Sequence, residues 1–145
     1  MNTERLFFLR EEYDLTQEDM GKIVGTKKYS ICNWENGKEI IPLNKLNEYA
    51  NYFNVSMDYI VKLDDRKTKE TNIIELDKKI IGENIKTVRE NNNLTQRQLA
   101  DILKTTHSVI WAYETGKTLI LTAFAYQICK KYKVSLDWLC GRTKK

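Results

Sequence analysis

Apolar residues recur at three- and four-residue steps along most of this chain. Leu43, Leu46, Tyr49, Ala50 and Phe53 form one such row, and Ala125, Ile128, Cys129 and Tyr132 form another. That spacing puts each row on one face of an α-helix. Met20, Ile23 and Val24, and again Leu99, Ile102 and Leu103, predict shorter helices with an inward face. Each follows a capping pattern, Thr16-Gln17-Glu18-Asp19 or Thr95-Gln96-Arg97-Gln98, in which a hydroxyl precedes an acid or amide by three residues. Gly25 suits the turn after the first of these helices. Ile31 and Trp34 mark the inward side of the next helix, expected from about Lys27 to Asn36, and Ile110 and Tyr113 mark its counterpart. Gly37 and Gly116 stop them. Ser56 and Ser135 are placed to cap one last short helix each. No strand is read.

The pattern occurs twice. At an offset of 79 residues the chain aligns with itself without a gap, with fifteen identities between Arg5 and Ile60. Arg10-Glu11 falls on Arg89-Glu90, Leu15-Thr16-Gln17 on Leu94-Thr95-Gln96, and Val55-Ser56 on Val134-Ser135. Trp34-Glu35-Asn36-Gly37-Lys38 falls on Tyr113-Glu114-Thr115-Gly116-Lys117. A gapless repeat of this length is a tandem domain rather than a solenoid. The expected organisation is an all-α chain with five helices in residues 1–63, a charged linker over 64–75, and five helices in 76–145. Ile73, Ile74, Leu76, Ile80, Ile81, Ile85 and Val88 extend the apolar row upstream, so the first helix of the second unit is expected to begin near Leu76. That extra stripe suits packing within the chain or a dimer seam.

Composition narrows the function classes. Charged residues make up 30% and apolar residues 41%, a soluble globular balance. The net charge of +4 permits an anionic partner without demanding one. Cys32, Cys129 and Cys140 have neither disulfide-framework nor metal-type spacing, which points to a reducing cytoplasm. Cys129 and Cys140 stand at apolar positions and are read as core; Cys32 is read as the exposed one. No run approaches the roughly 20 apolar residues of a membrane helix, and the N-terminus does not read as a signal peptide. One His and six Gly leave no metal cluster, catalytic triad or glycine-rich phosphate loop, so neither an enzyme nor a cofactor is expected.

Leu-Thr-Gln, an apolar helix, a turn, a short helix, Trp-Glu-Asn-Gly-Lys and Val-Ser-Met-Asp together resemble the phage Cro/repressor-type (XRE-type) helix-turn-helix family, over nearly the whole chain. The resemblance implies two tandem five-helix repressor-like domains, each laying its third helix in the major groove of double-stranded DNA. The groove suits this, because base edges there show distinct donor and acceptor patterns that side chains on a helix reach. In the first unit Ile31 and Trp34 face inward, so Lys27, Lys28, Tyr29 and Asn33 point outward. The family's base-reading positions fall on Lys28, Tyr29 and Asn33. Its phosphate-contacting and buttressing glutamine falls on Gln17, and its second phosphate clamp on Asn36 and Lys38. In similar domains an arginine of the first helix pairs with the glutamate ending the third, which here implies Arg10 with Glu35 and Arg89 with Glu114.

In the second unit the outward positions are Thr106, His107, Ser108 and Ala112, with Gln96, Thr115 and Lys117 as the phosphate set. Trp111 replaces Cys32 and Val109 replaces Ser30, which makes this helix less basic and more apolar. Three readings stay open: it reads a different half-site through His107 and Ser108, it is a pairing surface through Val109 and Trp111, or Trp111 is core. Charge runs the other way. Residues 1–63 carry a net −2 and residues 83–145 a net +6, much of it from Lys130, Lys131, Lys133, Arg142, Lys144 and Lys145. The expected function is a sequence-specific transcriptional regulator, read as a bacterial or phage repressor. Its unlike recognition helices imply an imperfectly palindromic or unequal operator. The alternative keeps DNA binding in the first unit and gives the second to dimerisation or a partner protein.

Overall fold

The computed structural model describes residues 1–67 and 73–144. Its fold is all-α: among the described residues there are ten helices and no strand. They fall into two compact units, Met1–Ile74 and Glu75–Lys145. The first contains α1 (Glu4–Glu12), α2 (Gln17–Val24), α3 (Lys28–Glu35), α4 (Leu43–Phe53) and α5 (Met57–Ile60). The second contains α6 (Lys78–Asn91), α7 (Gln96–Leu103), α8 (His107–Glu114), α9 (Thr122–Tyr132) and α10 (Leu136–Leu139).

Helices of two turns are marginal alone, and several here are fixed at their ends as well as by packing. Thr16 Oγ1 accepts from Asp19 N at 3.0 Å while Thr16 N donates to Asp19 Oδ2 at 3.0 Å, a reciprocal capping box. Hydrogen bonding by Thr16 to the exposed Asp19 carboxyl, first from its backbone N–H and then from its hydroxyl, holds that carboxyl below its ordinary range. Thr95 and Gln98 form the same box at α7, at 3.1 and 2.8 Å. Ser56 and Ser135 cap α5 and α10 by accepting from Tyr59 N and Trp138 N. Gly25 closes α2 at φ 70°, where a Cβ would be strained, yet Lys104 adopts φ 58° at the matching end of α7. Lys45 Nζ adds a bond to Val24 O at 2.5 Å, so a lysine of α4 covers a free carbonyl of α2.

In the first unit Leu6, Met20, Ile31, Leu46, Tyr49, Ala50, Met57 and Ile60 are fully buried. In the second, Ile110, Ala125, Leu136 and Leu139 are, with Ile85, Ile128, Cys129 and Cys140 nearly so. Some expectations need correction. Ile23 does not join Met20 and Val24 inside; it is exposed, and Gly21 is buried instead. Helical geometry explains this: residues 20, 21 and 24 share one side of the wheel, and 23 lies about 100° from its centre. The third helix begins at Lys28, with Lys27 as its N-cap, and ends at Glu35 with Asn36 as C-cap.

The first helix of the second unit begins at Lys78 rather than near Leu76, because Asp77 accepts from Lys79 N and Ile80 N and so serves as N-cap. Ile73, Ile74 and Leu76 therefore lie outside it. Ile74 instead has its backbone tied to α4: Asn47 Nδ2 and Asn51 Nδ2 donate to Ile74 O at 2.8 and 2.9 Å, and Ile74 N donates to Asn51 Oδ1 at 3.2 Å. Of the expected linker, residues 68–72 lie outside the described residues. Its earlier part is bound to the first unit, with Arg5 donating to Asp64 O and Asp65 Oδ1 and Lys67 paired with Glu12.

Candidate nucleic-acid interface

Two buried ion pairs fix the third helix of each unit. Arg10 grips Glu35 through two bonds, Nε to Oε2 at 2.7 Å and Nη2 to Oε1 at 2.9 Å. The side chains are 7% and 5% exposed, so the pair is nearly dry. Arg10 Nη1 also donates to Leu15 O at 2.7 Å, and Gln17 Nε2 donates to Glu35 Oε1 at 3.2 Å. One carboxylate thus ties the end of α3 to α1, and to α2 through its first residue. The second unit repeats the arrangement with Arg89, Glu114, Leu94 O and Gln96. The bond from Glu35 raises Arg10 above its ordinary pKa against the opposing cost of burial, and Glu114 does the same for Arg89. Gln17 and Gln96 are half-buried at the first turn of α2 and α7, with their side-chain amides already directed to a carboxylate.

With Ile31 fully buried and Trp34 nearly so, the opposite side of α3 faces solvent. Lys27, Lys28 and Tyr29 are exposed there, Tyr29 by 61%. Neither lysine has a carboxylate partner among the described residues, and neither does Lys38. Asn33 is half-buried and donates to Glu39 Oε1 at 3.3 Å. Glu39 is not among the positions expected from the sequence, although it follows the Asn36-Gly37-Lys38 turn directly. It sets a negative group beside one of the proposed readers. Asn36 accepts from Lys38 N at 2.9 Å, and its amide reaches Cys32 Sγ at 3.7 Å. Asn36 therefore shapes the turn that presents Lys38. Cys32 is half-buried rather than exposed.

On α8 the exposed positions are His107, Ser108 and Trp111, with Thr106 as N-cap accepting from Val109 N. Trp111 is 47% exposed, which removes the reading of it as core. Its ring lies 5.9 Å from Lys117 Nζ, within reach of a cation–π contact. Thr115 Oγ1 donates to Trp111 O at 2.9 Å, so Thr115 closes the end of α8. Arg142 does not belong with the free cations of this unit: it is 8% exposed and bonded to Asp137 Oδ1 at 3.1 Å. Lys145 lies outside the described residues. Among those residues no cluster of His, Cys, Asp or Glu could hold a metal ion, and no helix is long and apolar enough to cross a membrane.

Comparison with known proteins agrees with this architecture. Residues 3–66 and residues 82–143 each match the helix-turn-helix domain family. The antitoxin PezA of Streptococcus pneumoniae serotype 4 (strain ATCC BAA-334 / TIGR4) is 34% identical over 65 residues, 45% of this chain and 41% of that protein. The uncharacterized HTH-type transcriptional regulator YobD of Bacillus subtilis (strain 168) is 37% identical over 65 residues, 45% of this chain and 58% of that protein. This chain therefore spans roughly half the length of the curated relatives it matches. The matches fall on the same two segments that the repeat marks out and that fold as five-helix units, so the chain belongs to the helix-turn-helix domain family and carries that domain twice.

Proposed function

We propose that this protein is a sequence-specific regulator of transcription that acts as a repressor by placing α3, and with it α8, in the major groove of double-stranded DNA. It works by binding rather than by catalysis. The observation that carries the reading is α3 itself. One side is buried and locked by the Arg10–Glu35–Gln17 cluster, while the other offers Lys28 and Tyr29 to solvent, with Asn33 half-buried beside them. A rigid helix with donors on its free side is what base readout requires. In this reading domain 1 covers 1–63 and domain 2 covers 76–145. Base edges meet Lys28, Tyr29 and Asn33, and His107 and Ser108 in the second domain. Phosphates meet Lys27, Lys38 and Lys117, the first turns at Gln17 and Gln96, and the turns at Asn36 and Thr115. The relatives named as an antitoxin and a transcriptional regulator favour the same class.

A second reading gives domain 2 to protein contact, either homodimeric or with a partner. It is favoured by Trp111, a large half-exposed ring at the centre of α8 where domain 1 has Cys32. Affinity selection of random and genomic duplexes separates the two. Compared are the parent protein, Lys28→Ala/Asn33→Ala, and His107→Ala/Ser108→Ala. A two-part site, each part relaxed by one double variant, is the expected outcome. A one-part site lost only with the domain 1 variant supports the second reading. No enrichment at low salt overturns both.

A further inference from the structure

The repeat exposes a difference between the units that DNA binding does not use. In the first unit the outer face of α4 is occupied: Asn47 and Asn51 hold the backbone of Ile74, with Asn51 bonding to both its N–H and its carbonyl. An amide side chain can grip both backbone groups of a residue in this way where the chain is not helical. In the second unit the equivalent face of α9 borders an open groove of about 520 Å³. Tyr126 and Lys130 stand where Asn47 and Asn51 stand, and both line it. Ile102 and Leu103 of α7 supply an apolar wall, and Gln127 supplies an amide.

Charge says what kind of segment fits. Lys130 and Lys131 line the groove, and neither pairs with a carboxylate among the described residues. No residue of α9 is acidic, whereas α4 carries Glu48 at the position of Gln127. The chain that α4 holds at Ile74 continues as Ile74-Glu75-Leu76-Asp77, a sequence that alternates apolar and acidic residues.

We propose that the α7–α9 groove of the second unit is a docking site for an extended peptide segment of a partner protein, one with apolar side chains flanked by carboxylates. The apolar side chain lies against Ile102 and Leu103, Gln127 pairs with the backbone, and Lys130 and Lys131 take the carboxylates. This site lies apart from the exposed side of α8 and does not depend on what that helix binds.

The test titrates full-length protein with a fluorescein-labelled, end-blocked peptide of sequence Ile-Ile-Glu-Leu-Asp. Anisotropy gives the affinity and backbone amide NMR gives the location. Binding is expected below about 1 mM, with shifts at Ile102, Gln127 and Lys131. Both lysines are exposed, so Lys130→Glu/Lys131→Glu should keep its melting temperature while binding about fivefold or more weaker. A Gln/Asn version of the peptide should weaken to the same degree. Absence of binding up to about 1 mM, or binding indifferent to both charge changes, overturns the proposal. So do shifts confined to α4. If the lysine variant instead loses duplex affinity and duplex competes with the peptide, the groove is a phosphate contact. If it abolishes self-association of the protein, the occupant is a second copy. Either result also overturns the proposal.

Discussion

Two buried polar side chains in the first unit have opposite consequences. Tyr49 is fully buried and its hydroxyl has no hydrogen-bond partner among the described residues. Burial, reinforced by the nearby Glu35 carboxylate, pushes its pKa above the ordinary 10.0. A raised folded-state pKa means the stability tied to neutral Tyr49 is complete below about pH 10 and is lost as pH rises further. Tyr49→Phe should therefore leave neutral-pH stability unchanged or raise it by about 1 kcal/mol, since an unsatisfied hydroxyl is removed. It should also flatten the fall in melting temperature between about pH 9 and 11. An equally steep fall would show that other groups govern the alkaline limb. Glu35 behaves differently. Glu35→Ala strands the Arg10 guanidinium in a nearly dry site, at a cost of about 3–5 kcal/mol, so the first unit should unfold near ambient temperature and lose DNA with it. Lost DNA binding at an unchanged melting temperature would reassign Glu35 from scaffold to interface. The Arg10–Glu35 pair is what the resemblance to repressor-type domains implies, and both residues recur 79 residues on. The isolation of the Tyr49 hydroxyl could not be read in the sequence, because satisfaction depends on which neighbours tertiary packing brings. Ile23 was misread for a related reason: on a helix of eight residues the side that packs is chosen by the neighbours, and here it includes Gly21.

The helices themselves were largely legible: hydroxyl caps mark the starts of α2, α5, α7 and α10, while α3, which has no capping side chain, is marked by Ile31, Trp34 and Gly37. The exception is the start of α6, where apolar periodicity continued upstream through Ile73, Ile74 and Leu76 while the Asp77 cap set the boundary. A local cap outweighs periodicity there, since the upstream residues gain nothing from helix and Ile74 gains three hydrogen bonds on α4. The seating of the third helix on the first is also achieved differently in the two units. In the first, Thr3 Oγ1 donates to Trp34 O at 3.1 Å. In the second the same position is Gly82, and a Cβ there would stand 2.4 Å from Tyr113 O and 2.6 Å from Glu114 O. Alanine normally gains up to about 1 kcal/mol over glycine inside a helix. Contact with two backbone oxygens at those distances forces α6 away from α8 and should outweigh that gain, for a net loss of about 1–3 kcal/mol. Gly82→Ala is thus expected to speed amide exchange across α6–α10 while leaving α1–α5 protected as before. A stabilised second unit would mean that α6 shifts on α8 without strain.

Net charge and the proposed recognition chemistry are separated in this molecule, and the separation makes the proposed DNA footprint measurable. The stretch 83–145 carries +6 against −2 for 1–63, yet α3 has two basic residues around its start and α8 has none. Arg142 is internally neutralised by Asp137. Three lysines of that stretch, Lys130, Lys131 and Lys133, sit on and just after α9, where Lys130 and Lys131 border the groove. Duplex affinity falls with salt in proportion to the number of phosphates neutralised, by about 0.9 in the logarithmic slope for each contact. If the footprint is built from the turns after α3 and α8, Lys38→Ala and Lys117→Ala should each lower that slope by about 0.9, while Lys131→Ala leaves it unchanged. Filter binding of a selected duplex from about 50 to 200 mM salt reads the slope directly. A drop with Lys38→Ala but not Lys117→Ala confines the contact to the first unit, and Lys117 then serves to cover the Trp111 ring 5.9 Å away. A drop with Lys131→Ala would move the phosphate path onto α9, so that a lysine-bearing helix outside the helix-turn-helix pair holds the backbone.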